Sequence, residues 1–280
     1  MNSAKSKTGI GFFYGLLVVL TVIFIFPIVL VFINSFKSRL YVSTVPFEFP
    51  VGKMFVGLEN YINGLTTSGF FLSFLRSVWV SIASVALIIL CTSMTAWFIV
   101  RVKNKFTKGL YYVFVFSMIV PFQMVMYTMT FMVTSLAFDN VVGIVLVYLG
   151  FGAGLSVFMF TGFVKAVPME IEEAATIDGC SPLQTFFLVV FPMLKPTAIT
   201  VAILNAMWVW NDYLLPYLIL GSDHKTVPVA IQLAMQGAYG STDYGGFMAM
   251  LVVSIIPIIV FYVCSQKYII KGVIAGAVKG

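Results

Sequence analysis

Apolar residues dominate this 280-residue chain in long stretches, and polar positions gather in the short segments between them. A bilayer core about 30 Å thick is crossed by roughly 20 mostly apolar helical residues. Six stretches meet that length: 11–34, 74–100, 110–133, 141–164, 197–220 and 247–265. The first is too long, and too poor in small-residue cleavage signals, for a removable leader, so it is expected to stay as an anchor. The pattern predicts an all-α membrane protein with six transmembrane helices in a single domain, residues 1–280.

Composition agrees with the pattern. The chain is 61% hydrophobic, 16% aromatic and 9% charged, with a mean hydropathy of +1.05, whereas soluble domains carry about 25% charged residues. The sixteen Lys and Arg residues set the orientation, because positive charge is retained in short cytoplasmic loops. With the N-terminus inside, Lys5, Lys7, the cluster from Arg101 to Lys108, Lys165, Lys195, Lys267, Lys271 and Lys279 are cytoplasmic. Only Lys37, Arg39, Lys53, Arg76 and Lys225 lie outside, so both termini are expected in the cytoplasm. The net charge of +6 is scattered without a basic stripe, which argues against a nucleic-acid partner. Cys91, Cys180 and Cys264 are far apart and His224 is the sole histidine, so neither a disulfide framework nor a metal site is expected.

Four of the ten carboxylates, Glu170, Glu172, Glu173 and Asp178, crowd into MEIEEAATIDGC within the expected cytoplasmic loop 165–196. Pro168 suits the first position of a helix and Gly179 the left-handed residue that ends one. Ser181 can cap a second helix opened by Pro182. At 100° per residue, Ile171, Ala174, Ala175 and Asp178 share one face, while Glu170, Glu172, Glu173 and Thr176 point mostly the other way. A helix with one small apolar face and one acidic face is expected, the alanines permitting close approach of another protein.

Glu173-Ala174-Ala175, three residues, Gly179, nine residues, Val189, one residue, Phe191, Pro192 resembles the EAA loop of ABC-importer permeases, with Val and Phe replacing the usual Ile and Leu. Trp210-Asn211-Asp212-Tyr213-Leu214-Leu215-Pro216 and the tail 266–280, from Gln266-Lys267-Tyr268 onward, resemble signatures of carbohydrate-uptake permeases, the six-span second permeases of maltose and multiple-sugar importers. The resemblance implies the type I importer permease fold in a bacterial cytoplasmic membrane. It also implies a second permease forming a heterodimer, two ATPase subunits and an extracytoplasmic solute-binding protein. Glu172, Glu173, Ala174, Ala175, Asp178, Gly179 and Pro192 are then the expected ATPase-coupling residues, with Lys271 and Lys279 as tail contacts. No GxxxxGK[ST] phosphate loop occurs, so ATP and Mg are expected on the partner ATPase and no cofactor on this chain.

Polar groups at membrane depth cost several kcal/mol, roughly, unless paired or facing a cavity. Asn205, Trp208, Trp210, Asn211, Asp212 and Gln123 are therefore candidates for the pathway or substrate, with Asn34 near the end of the first span. The competing assignment makes Asn and Asp interhelical glue and Trp an anchor. An enzyme is not expected: Ser156 lies in a different segment from His224, and Asp212 has no second intramembrane aspartate. An ion-coupled secondary transporter is the rival class, and a polyol phosphate the rival substrate for an ABC permease.

Overall fold

The computed structural model describes residues 2–67, 69–236 and 243–277. These are helical almost throughout, in the order α1 (Asn2–Asn34), α2 (Arg39–Thr44), α3 (Glu59–Thr67), α4 (Phe70–Arg101), α5 (Lys105–Ser117), α6 (Phe122–Ser135), α7 (Gly143–Val164) and α8 (Met169–Ile177). There follow α9 (Pro182–Thr185), a π-helical stretch at Phe186–Val190, α10 (Phe191–Met193), α11 (Lys195–Asn211), α12 (Leu214–Leu220), α13 (Val227–Gln236) and α14 (Tyr244–Ala277).

Four segments, Gly11–Asn34, Phe70–Arg101, Gly143–Val164 and Tyr244–Lys267, are each long and apolar enough to cross a membrane. Two bent pairs pass the same test: Lys105–Ser117 with Phe122–Ser135, bent by 107°, and Pro182–Met193 with Lys195–Asn211, bent by 77°. Counting each pair as one span gives the expected number, six, but two of the expected bounds are corrected: 110–133 is interrupted, and the second pair begins at Pro182, inside the expected loop 165–196, and ends at Asn211. The stretch 110–133 breaks before Pro121, whose ring disfavours helical geometry at the preceding residue and whose nitrogen donates nothing. The stretch 197–220 stops at Asn211, where Asp212 takes an extended conformation (φ −73°, ψ 123°), and resumes as α12. Within the expected tail 266–280, α14 continues to Ala277.

The chain divides into two units. One contains residues 1–71 and 230–257. Its segment after α1, which carried little signal in the sequence, is tied down by polar side chains. Asn60 donates to the carbonyls of Ser35 and Lys37, both at 2.8 Å. The Lys37 ammonium is enclosed and donates to the carbonyls of Val45 (2.8 Å) and Pro46 (3.1 Å). Burial pulls its pKa below the ordinary 10.5, with Glu48 opposing the shift. Asn34 is buried here and donates to Leu30 and Pro46, which makes it a structural tie.

The other unit, residues 72–229 and 258–280, holds the loop of interest. One cluster joins Ile88 and Ala96 of α4, Phe160 and Val164 of α7, Phe186 and Val190 of the π-helical stretch, and Ala198 and Val201 of α11. A second joins Val80, Val133, Ile144, Tyr148, Val209 and Leu215. Close approach depends on two glycines of α7. A Cβ on Gly152 would lie 2.7 Å from Ile88 Cδ1, and one on Gly154 would lie 2.9 Å from the Phe114 carbonyl oxygen. Small residues at helix crossings permit this kind of packing in membranes.

Candidate functional site

The EAA-like segment folds as its helix signals predict, with one shift: Pro168 is the N-cap (ψ 137°) and Met169 is the first helical residue. Glu170 and Glu172 occupy the first turn, where carboxylates complement the helix dipole. The end of α8 satisfies its carbonyls locally: Gly179 N–H donates to Thr176 (3.0 Å) and Cys180 N–H to Ala175 (3.0 Å). This reciprocal closure needs a left-handed residue, and Gly179 supplies it at φ +85°. Ser181 then opens α9: its hydroxyl accepts from Gln184 N–H, and its own N–H donates to Gln184 Oε1 at 2.8 Å. Helix, glycine turn, helix is the observed form.

The faces of α8 differ from the expected division. Glu172 and Ala175 are the buried pair, while Ile171, Glu173, Ala174, Ile177 and Asp178 are exposed. The reason is a specific partner on α4. Arg101 donates to Glu172 Oε1 from Nε (2.9 Å) and from a terminal guanidinium nitrogen (2.6 Å), and Trp97 Nε1 donates to Glu172 Oε2 (2.9 Å). The same guanidinium donates to the Val167 carbonyl at 2.9 Å, just before α8 begins. Trp97 and Arg101 stand four residues apart, on one face at the end of α4. Both carboxylate oxygens are thereby matched, which is what allows the charge to be buried.

The exposed side that remains carries an apolar strip among carboxylates, with Glu170, Glu173 and Asp178 exposed alongside it. Ile171, Ala174 and Ile177 follow at three-residue steps, and Ile177 is 85% exposed. Glu173 lies beside this strip, and Asp178 caps the helix end. A cavity of about 600 Å³, lined by Trp97, Glu172, Glu173, Ile177, Cys180 and Thr185 among others, opens next to it. Behind the loop, Phe186 is fully buried and packs against Trp97 at 5.4 Å between ring centroids. Pro192 is exposed at the end of the same helical run. Helix α8 is thus fixed to α4 at one side and free at the other.

The polar candidates in the spans are mostly tied to their own helices or neighbours. Asn205 is buried and donates to Ser156 Oγ (3.2 Å) and the Val201 carbonyl (2.9 Å), joining α11 to α7. Asp212 sits at the α11–α12 break. Its Oδ1 accepts from the N–H of Leu214 (3.0 Å) and Leu215 (3.4 Å), and Oδ2 accepts from Tyr148 Oη (3.1 Å). It caps α12 and ties it to α7. Trp208 stacks edge-on against Tyr148 (5.3 Å) and Trp210 against Phe74 (5.8 Å). Asn211 is exposed and donates to the Met207 carbonyl, and Gln123 is exposed in the first turn of α6. The structure does not gather these six into one site. Lys271 belongs to α14, and Lys279 lies outside the described residues.

Trp97, Arg101 and Tyr148 were not singled out from sequence as site residues. The available signal was the i, i+4 pair of hydrogen-bond donors at the end of a span, facing a loop with spare carboxylates. Read from sequence, Arg101 serves topology alone.

Comparison with known proteins places this architecture. Residues 88–275 match the family model described as binding-protein-dependent transport system inner membrane component. The chain is 35% identical to the probable starch degradation products transport system permease protein AmyC of Thermoanaerobacterium thermosulfurigenes, over 94% of each chain. It is 34% identical to the multiple sugar-binding transport system permease protein MsmG of Streptococcus mutans, over 98% of this chain and 100% of that one. Among solved structures, a chain of a bacterial ABC transporter involved in import of the acidic polysaccharide alginate superimposes with a TM-score of 0.79 at 19% identity, covering 96% of this chain and 98% of that chain. That likeness establishes the fold. A multi-pass membrane protein with a fixed loop helix and this sequence match belongs to the family of inner membrane components of binding-protein-dependent transport systems.

Proposed function

We propose that this chain is the permease subunit of an ATP-driven sugar importer, and that α8 is its contact with a separate ATPase. The observation that carries the reading is the two-sided α8. Glu172 anchors one side to α4 through Arg101 and Trp97, and the other side exposes Ile171, Ala174 and Ile177 alongside Glu170, Glu173 and Asp178. A push on the exposed side is transmitted to a span through charge-assisted bonds instead of being lost in a loose loop. Alternating access then follows as rigid-body motion of the spans. The same reading puts α8 and both termini in the cytoplasm, a second permease across a heterodimer and a solute-binding protein on the opposite side. Sugar is supported by the names of both relatives above, a permease for starch degradation products and a multiple sugar-binding one, and oligosaccharide is the narrower proposal.

Asp212, the carboxylate an ion-coupled cycle would use, accepts three hydrogen bonds in a cap, which favours a structural over a proton-carrying role. The test is uptake in proteoliposomes containing the complete assembly and its binding protein. Oligosaccharide uptake is expected with ATP on the ATPase side and to persist when ion gradients are collapsed. Uptake that ignores ATP and stops with the gradient would overturn the proposal.

A further inference from the structure

The basic cluster that orients the chain has a second physical consequence. The end of α4, the start of α5 and the end of α7 line an open cavity of about 790 Å³. Arg101, Lys103, Lys105, Lys108 and Lys165 line it, and no carboxylate does. Arg101 is already committed to Glu172, but none of the four lysines forms an ion pair among the described residues. The other polar lining groups serve the chain itself: Thr107 N–H donates to Asn104 Oδ1 (2.8 Å) and the Thr107 hydroxyl to the Val102 carbonyl (2.5 Å). Four ammonium groups without an ion pair among the described residues, two of them, Lys105 and Lys108, in the first turn of α5, whose dipole adds positive potential, make a site for an anion.

The remaining wall decides which anion. Ile99, Val100 and Tyr111 give the cavity an apolar side, and α5 continues from it with Tyr112, Val113 and Phe116 all exposed. A cationic recess at the end of membrane helices, opening along an apolar helix face, fits a phosphate that carries acyl chains. We propose that this cavity binds the phosphate of an anionic phospholipid headgroup, its chains lying along α5. The site requires only that these helices cross a membrane, so it stands or falls apart from ATP coupling.

The test is native mass spectrometry of the complete transporter, taken from nanodiscs of equal phosphatidylglycerol and phosphatidylcholine. The wild type is expected to retain phosphatidylglycerol selectively, and K105Q/K108Q/K165Q to lose roughly tenfold or more of that occupancy. K105R/K108R/K165R is expected to restore it, and R39Q/K53Q/K195Q, which removes exposed cations elsewhere, to leave it unchanged. Melting curves on the same samples identify any variant that fails to fold, and the wild-type lipid preference stands as a readout independent of every variant. Equal retention of the two lipids by wild type, or equal loss in the two glutamine variants, would overturn the site. Displacement by inorganic phosphate at the same concentration as a short-chain phosphatidylglycerol would overturn the lipid assignment.

Discussion

Arg101→Ala tests the α4–α8 link at the point where its energetics are most asymmetric. The substitution removes two charge-assisted bonds to Glu172 and one to the Val167 carbonyl, and leaves a carboxylate whose side chain is only 7% exposed. Breaking a buried pair costs about 3–5 kcal/mol. Trp97 still donates to Oε2 and the arginine is 15% exposed, so about 2–4 kcal/mol is the expected loss here. At about 1.4 kcal/mol per decade, the amides of α8 should exchange with deuterium roughly 30- to 1000-fold faster in the variant. Amides of α7 near Tyr148 should change little. Removing both charges in R101M/E172L should return most of the protection, because no orphaned carboxylate remains. Unchanged exchange across α8 in Arg101→Ala, or a double variant as unprotected as the single one, would refute the anchor.

Other outcomes follow from the same geometry. Gly179→Ala forces a side chain into φ +85° and should cost about 1–2 kcal/mol of local stability at the end of α8, with Gly179→Asn intermediate; a thermal-shift and exchange series on the three proteins checks the order. Asp212→Ala removes the α12 cap and leaves the buried Tyr148 hydroxyl without its acceptor, an expected loss of about 2–4 kcal/mol, while Asp212→Asn should retain much of it; denaturation in detergent micelles measures both. Lys37 has a folded pKa below its unfolded 10.5, so the unfolded chain binds more protons in the window between them. Stability therefore rises as pH climbs towards 10.5, and the melting temperature of wild type should gain on that of Lys37→Met over that window.

Much of the architecture was legible because bilayer solubility leaves strong marks. The number of apolar segments and the punctuation of Pro168, Gly179 and Ser181 came directly from residue type, since each of these has few alternative uses. The break before Pro121 was signalled by the proline itself, yet the apolar stretch around it reads as uninterrupted. The interruption at Asp212 was harder: an aspartate in an apolar run looks like a pathway group until the amides of Leu214 and Leu215 are seen to use it. The division of α8 was misassigned because a helical wheel ranks positions by polarity. Glu172 is the more buried residue and Ile177 the more exposed, since a partner on α4 offers three donors to the carboxylate and nothing in the described residues covers the isoleucine. Pairings across 71 and 75 residues of chain are set by packing, and no local pattern encodes them.

The claim that α8 is the contact with an ATPase is tested most directly by placing a photo-crosslinking amino acid at position 177 of the assembled transporter, with position 18 on α1 as the control. The account predicts an ATPase adduct from position 177, strengthened or weakened by nucleotide, and none from position 18. An adduct from 177 only to lipid, to a second permease or to the solute-binding protein would contradict it.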